Sequence, residues 1–132
     1  MDERRLQLIP LFAELSKSER REVASHADEV DISEGKRLIA EGSLSYEFFA
    51  ITSGTADVTV DGHAVAELGP GDIVGEMGVI ANARRNATVT ATSPMTIAVM
   101  TARDLRHIER EMPKVHDRLQ AAVDERSAAL AG

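Results

Sequence analysis

From Asp28 to Met100 the chain breaks every apolar run at strand length. The runs are "RLIAEG", "YEFFAITSG", "ADVTV", "HAVAEL", "ATVTA" and "TIAVM", punctuated by glycines at 35, 42, 54, 62, 69 and 71. Short apolar segments separated by turn residues predict a compact antiparallel β unit. In "VTVDGHAVA", Asp61-Gly62 stands between two alternating strands. A two-residue hairpin loop needs residues that tolerate positive φ, so a hairpin is expected there.

Helical texture lies on both sides of this unit. In "PLFAELSKSERREVASHA", Ser16 precedes Glu19 by three positions. That is the spacing of a reciprocal cap, and it predicts a short helix from about Ser16 to Ser25. After Met100, "TARDLRHIEREMPKVHDRLQAAVDERSAALAG" is helical again, with Pro113 dividing it into two helices. Met112, Val115, Leu119, Ala122 and Val123 recur at spacings of three and four, an amphipathic stripe whose commonest use is core packing. The expected architecture is α+β: an antiparallel β-roll or jelly-roll with a short N-terminal helix, a helical turn within the roll and two C-terminal helices. One domain is expected over 1–132, with an N-terminal helical segment at 1–27, the β-roll at 28–100 and the C-terminal helices at 101–132.

Charge narrows the function. Fifteen Lys and Arg against 22 Asp and Glu leave a net charge of −7, the wrong sign for holding nucleic acid through its phosphates. No stretch approaches the roughly 18 apolar residues of a membrane span, and "MDERRLQLIP" lacks a secretory apolar run. A cytoplasmic location is expected. The chain has no cysteine, which excludes disulfides and thiolate metal sites. Its histidines, His26, His63, His107 and His116, lie in dissimilar segments without metal-ligand spacing and are read as surface residues, so neither a metal nor a cofactor is expected.

Against this acidic background, "GEMGVIANARRNAT" places two arginines beside a glycine-framed glutamate. Gly75 and Gly78 bracket Glu76 just after "LGPGDIV", so a turn can deliver the chain into a short helix at residues 75 to 81. A helix start presents free N–H groups and a positive dipole end to an anion, and glycine allows close backbone approach. Arg85 precedes the strand "NATVTA", from whose start a planar guanidinium can reach toward the same turn and grip two oxygens of one phosphate. On spacing alone, Glu76 could equally be a first-turn helix residue stabilised by the dipole.

At these residues the chain resembles the cyclic nucleotide-binding domain family, as in protein kinase A regulatory subunits, the catabolite activator family and cyclic nucleotide-gated channels. The family's phosphate-binding cassette corresponds to 75–88, running Gly75, Glu76, Met77, Gly78 and Val79, then a spacer, then Arg85, Asn86, Ala87 and Thr88. A second family feature, an apolar pair, a Gly-turn, an apolar strand and a closing glycine, matches "LIAEGSLSYEFFAITSG" from Leu38 to Gly54. The resemblance implies a ligand-binding set of Gly75, Glu76, Met77, Gly78, Arg85, Asn86, Ala87 and Thr88. In it Arg85 pairs with the exocyclic phosphate oxygens, Glu76 accepts the ribose 2′-hydroxyl, and backbone amides around Gly75, Glu76 and Ala87 complete the cradle. Arg84 lacks the cassette spacing and is read as a solvated loop charge. Asn86 departs from the family's small or hydroxylic residue, replacing a hydroxyl by an amide.

With no Trp to stack on a base, Leu119 and Val123 on the last helix are expected to serve as an aliphatic lid, aided by a polar residue among Asp117, Gln120 and Asp124. The implied function is a regulatory module, not an enzyme, that binds a cyclic nucleotide, cAMP ahead of cGMP, and signals by moving its C-terminal helices. Its effector would be a separate protein or a further domain, and the last helix offers a homodimer face. The alternatives are an interaction domain of the same fold that no longer binds nucleotide and, behind it, a cupin-like metal-dependent enzyme. The latter requires histidines and a carboxylate clustered along the strands.

Overall fold

A computed structural model gives the fold and describes residues 1–40, 47–74 and 87–131, with the side chains at 123 and 125–131 excepted. At the N-terminus, Asp2 accepts the Arg4 N–H and caps a 3-10 turn, Glu3–Leu8. The Arg4 guanidinium beside it holds the Asp2 carboxyl down at about 2. Pro10 then starts the single-turn helix α1 (Pro10–Ala13), where its missing N–H costs nothing. The expected reciprocal cap forms. Glu19 N–H donates to Ser16 Oγ at 3.1 Å, and Ser16 N–H donates to Glu19 Oε1 at 2.9 Å, opening α2 (Lys17–Ser25). The donated Ser16 N–H favours the ionised form of Glu19 and lowers its pKa.

Among the described residues eight strands follow: β1 (Asp28–Ile32), β2 (Arg37–Ile39), β3 (Glu47–Ser53), β4 (Ala56–Val60), β5 (His63–Leu68), β6 (Ile73–Val74), β7 (Thr88–Ala91) and β8 (Met95–Thr101). They form two four-stranded antiparallel sheets, β1-β8-β3-β6 and β2-β7-β4-β5. The Asp61-Gly62 hairpin is present: both residues have positive φ, 52° and 78°, and Val60 pairs with His63 across the turn. Positive φ at both central residues matches the twist of the flanking strands. One residue beyond the expected alternation, Val65, is accommodated as a bulge, since Val58 pairs with Ala66 but Thr59 pairs with Ala64.

The apolar runs of β3 and β8 lack strict alternation because their sheet is covered on both faces. Phe49 and Ile51 on β3, with Met95 and Ile97 on β8, point between the sheets and meet Ile39, Val74 and Val89. Phe48, Ala50, Ala98 and Met100 point the other way, into a second cluster formed with the helices. That second cluster is completed by α3 (Ala102–Glu111), capped by Thr101 Oγ1 accepting the Asp104 N–H, and by α4 (Pro113–Ala131). Pro113 divides the two helices as expected. Met112, Val115 and Leu119 from the amphipathic stripe are buried with Leu6, Phe12, Leu105 and Ile108.

Candidate functional site

The chain reaches the cassette through a turn of tightly specified geometry. Asp72 N–H donates to the Gly69 carbonyl at 3.1 Å, closing a turn with Pro70 and Gly71 at its centre, and Gly71 takes φ +93°. Pro followed by a positive-φ glycine is the type II pattern. Asp72 Oδ2 also accepts the Gly69 N–H at 2.8 Å. The turn is fastened to β3, because Gly71 N–H donates to the Ile51 carbonyl and Ile51 N–H to the Asp72 carbonyl. A Cβ on Gly71 would stand 3.3 Å from the Leu8 carbonyl oxygen, so the N-terminal segment packs on the same turn.

From this turn β6 runs antiparallel to β3, with Ile73 beside Ala50 and Val74 beside Phe49. Val74 is therefore fixed on the β1-β8-β3-β6 sheet. Thr88, at the start of β7, is fixed on the other sheet beside Thr59, and Val89 lies between Val58 and Ile39. Residues 75–86 join these two anchors. The described neighbours of 41–46 lie close to the same anchors in register, since Ile39 of β2 pairs with Val89 of β7, and Glu47 opens β3 two residues before Phe49, the partner of Val74. The chain on both sides of each of the two segments is thus anchored at the start of β3 and the start of β7.

Of the expected ligand-binding residues, Gly75, Glu76, Met77, Gly78, Arg85 and Asn86 lie outside the described residues, as does the helix expected at 75 to 81. Ala87 is half-buried at a bend, and Thr88 is half-buried as the first residue of β7. Leu119 is fully buried in the helix-side cluster. In this arrangement its contacts serve the core. Val123 lies in α4 with its side chain outside the described set. Gln120 Nε2 donates to Asp124 Oδ1 at 3.1 Å, so these two exposed polar groups of α4 pair with each other. The helix is held at its flank by an ion pair from Arg118 to Glu14, at the end of α1, and by His116 Nδ1 at 2.6 Å from Glu109 Oε1 on α3. A cleft of about 560 Å³ separates α4 from α1 and the Gly71 turn, with Asp72, Lys114 and Asp117 among its lining residues.

Residues 29–111 match the family described as Cyclic nucleotide-binding domain. The chain belongs to that family. A cAMP-dependent protein kinase regulatory subunit from Mycosarcoma maydis is 38% identical over 93 residues, which is 67% of this chain and 18% of that protein. The cyclic nucleotide-binding domain therefore spans about a fifth of that curated relative's length. The solved regulatory domain of Toxoplasma gondii PKA with cAMP has the same fold, with a TM-score of 0.82 at 22% identity over 93% of this chain and 48% of that one. The regulatory subunit of a cAMP-independent protein kinase A from Trypanosoma brucei has a TM-score of 0.81 at 26% identity, over 92% of this chain and 44% of that one.

One grouping was not legible in the sequence. His26 and His107, read as unrelated surface residues, face each other with ring centroids 5.4 Å apart, and Glu22 and Asp104 stand beside them. The available signal was the spacing inside each segment, Glu22 to His26 and Asp104 to His107, which puts each pair on one helix face. The cluster lies on helices. Among the described residues no grouping of histidines and carboxylates lies along the strands, where a cupin-like enzyme would need it. No helix among the described residues is long and apolar enough to cross a membrane.

Proposed function

We propose that the domain binds cAMP as a regulatory ligand, with Arg85 pairing the exocyclic phosphate and Glu76 accepting the ribose 2′-hydroxyl. One observation carries the reading: the sequence Gly75-Glu76 to Arg85-Asn86-Ala87-Thr88 falls inside the matched family region, in a chain 38% identical over 93 residues to a cAMP-dependent kinase regulator. The anchoring of Val74 on one sheet and Thr88 on the other supports it, because a segment held at both ends loses less freedom when it closes on a ligand. Backbone amides around Gly75, Glu76 and Ala87 would complete the cradle, with Met77, Gly78, Asn86 and Thr88 the remaining positions of the proposed ligand-binding set. The chemistry is binding, with no catalytic step.

The output in this reading is a shift of α4. Its polar ties to the end of α1 and to α3 include an exposed ion pair, Arg118 to Glu14, of the kind worth about 0 to 1 kcal/mol, and a hydrogen bond between His116 and Glu109, while its buried stripe packs into the helix-side cluster. Ligand would move it only by favouring one helix position over another. Leu119, now part of the core, would reach a base only in another helix position; Val123 would be the second residue of the proposed lid. The effector would be a separate protein or a further domain.

Titration calorimetry on nucleotide-stripped protein with cAMP and then cGMP tests this directly. Saturable binding with cAMP tighter is the expected result. No binding of either would favour the second reading, an interaction domain that has lost its ligand, for which Asn86 in place of the family's small or hydroxylic residue and the absence of Trp for base stacking speak. A finer test addresses Glu76. Glu76→Gln is expected to weaken cAMP more than 2′-deoxy-cAMP, because the carboxylate's proposed partner is the hydroxyl that the deoxy ligand lacks. Equal losses for the two ligands would make Glu76 structural.

A further inference from the structure

We propose that Glu22, His26 and His107 form a binding site for zinc or a chemically similar divalent ion, one that clamps α2 to α3. The placement begins with spacing. Glu22 and His26 are four residues apart at the end of α2, and Asp104 and His107 are three apart in α3, so each pair projects from one helix face. Beneath these pairs the two helices belong to one buried cluster, with Val23, Ala24 and Ala27 on one side and Leu105 and Ile108 on the other. The polar pairs above this packing converge as a consequence.

The resulting geometry suits an ion better than a direct contact. Glu22 Oε1 and His107 Nε2 are 3.9 Å apart, too far for a hydrogen bond. One ligand atom from each of Glu22, His26 and His107 lies within 4.8 Å of the others. Ligands around a tetrahedral zinc, with bonds of about 2.0 to 2.2 Å, stand roughly 3.3 to 3.6 Å apart. Closing that difference takes small rotations of partly exposed side chains, with the backbones beneath already fixed. Asp104 Oδ1 is 3.3 Å from His26 Nδ1, where it orients the ring in the way that carboxylates commonly support metal-bound histidines.

Two imidazole nitrogens and one carboxylate oxygen form a borderline donor set, which favours zinc over the hard ions magnesium and calcium. Because both helices must be packed for the ligands to meet, the ion binds the folded state and ties the segment before the β-roll to the helix after it. The proposal is independent of nucleotide binding.

The test is titration of the whole 132-residue chain, stripped with a chelator, with zinc chloride under calorimetric observation. One equivalent should bind in the micromolar range, and excess magnesium should not compete. Asp104→Asn should weaken binding by about ten- to a hundredfold. His26→Gln and His107→Gln should weaken it further, while His63→Gln and His116→Gln leave it unchanged. Should the ligand variants fold poorly by circular dichroism, imidazole NMR of the unaltered chain answers the same question, with zinc shifting the His26 and His107 rings and sparing the other two. Absence of saturable binding, or binding that survives loss of both His26 and His107, overturns the proposal. So does binding lost only in His116→Gln, which would place the ion at Glu109 and His116 instead.

Discussion

Replacing Arg85 by alanine is expected to reduce cAMP affinity by about 30-fold to several thousand-fold, whereas Arg84→Ala changes it little. The two residues are adjacent and carry the same charge, so any long-range effect on the phosphate is common to both. Arg85 alone has the spacing to Ala87 and Thr88 that the cassette requires. Removing one partner of a desolvated charge pair costs about 2 to 5 kcal/mol, much of it the penalty of leaving the other charge unpaired. At about 1.4 kcal/mol per factor of ten, that range gives the expected loss. Salt offers a second readout, since a surface charge such as that expected of Arg84 is screened more than a buried pair. Titration of both variants with cAMP at two ionic strengths checks the assignment. Equal losses would mean that net charge near the site, not a specific guanidinium, holds the ligand.

Local chemistry made much of this fold legible. Ser16 and Glu19 specify their cap within four residues, Asp61-Gly62 sets its hairpin, and Pro113 breaks its helix without regard to what surrounds it. Strands β1 and β6 were harder to see. "DEVDI" is exposed at four of its five positions, so it shows neither an apolar run nor a clean alternation, and Ile73-Val74 is too short to carry a period. The faces of contact were harder still. Periodicity identified the stripe through Met112, Val115 and Leu119 but not its partner. The expectation that Leu119 and Val123 serve as an aliphatic lid meets the fact that Val115 and Leu119 are both fully buried in the cluster shared with the N-terminal helices. Deleting them would remove about 1.5 to 3 kcal/mol of burial for each, and so would destabilise the domain along with any lid. The histidine cluster was hidden for the same reason, because its two halves are 78 residues apart or more in the chain (His26 to Asp104) and are joined only by helix packing. The cassette was legible through the family resemblance, since spacing alone left the role of Glu76 open, and the structure adds the positions of Val74 and Thr88 on either side of it.

Gly54→Ala is expected to destabilise the domain by about 2 to 5 kcal/mol, the largest loss from any single added methyl group among the described glycines. Gly54 closes β3 at the end of the apolar strand that matches the family's second pattern, and it takes φ +89°. Backbone conformation is only part of its constraint. A Cβ there would fall 2.4 Å from the Pro94 carbonyl oxygen and 2.7 Å from the Met95 Cα. Both are backbone atoms, and they cannot rotate away as a side-chain tip can. They are also held in place: Thr92 N–H donates to the Thr55 carbonyl, Thr55 N–H donates to Ser93 Oγ, and Met95 is buried between the sheets. Relief of the clash would have to push β3 and β8 apart where they join. Left-handed strain contributes about 1 to 2 kcal/mol and overpacking about 1 to 3. Gly62 separates the two terms, because it has φ +78° but nothing within 4 Å of an added Cβ. Gly62→Ala should therefore cost only the conformational part. Urea unfolding of the two variants beside the parent measures the difference. Equal midpoints for Gly54→Ala and Gly62→Ala would show that the β3–β8 junction yields easily and that positive φ is all the position requires.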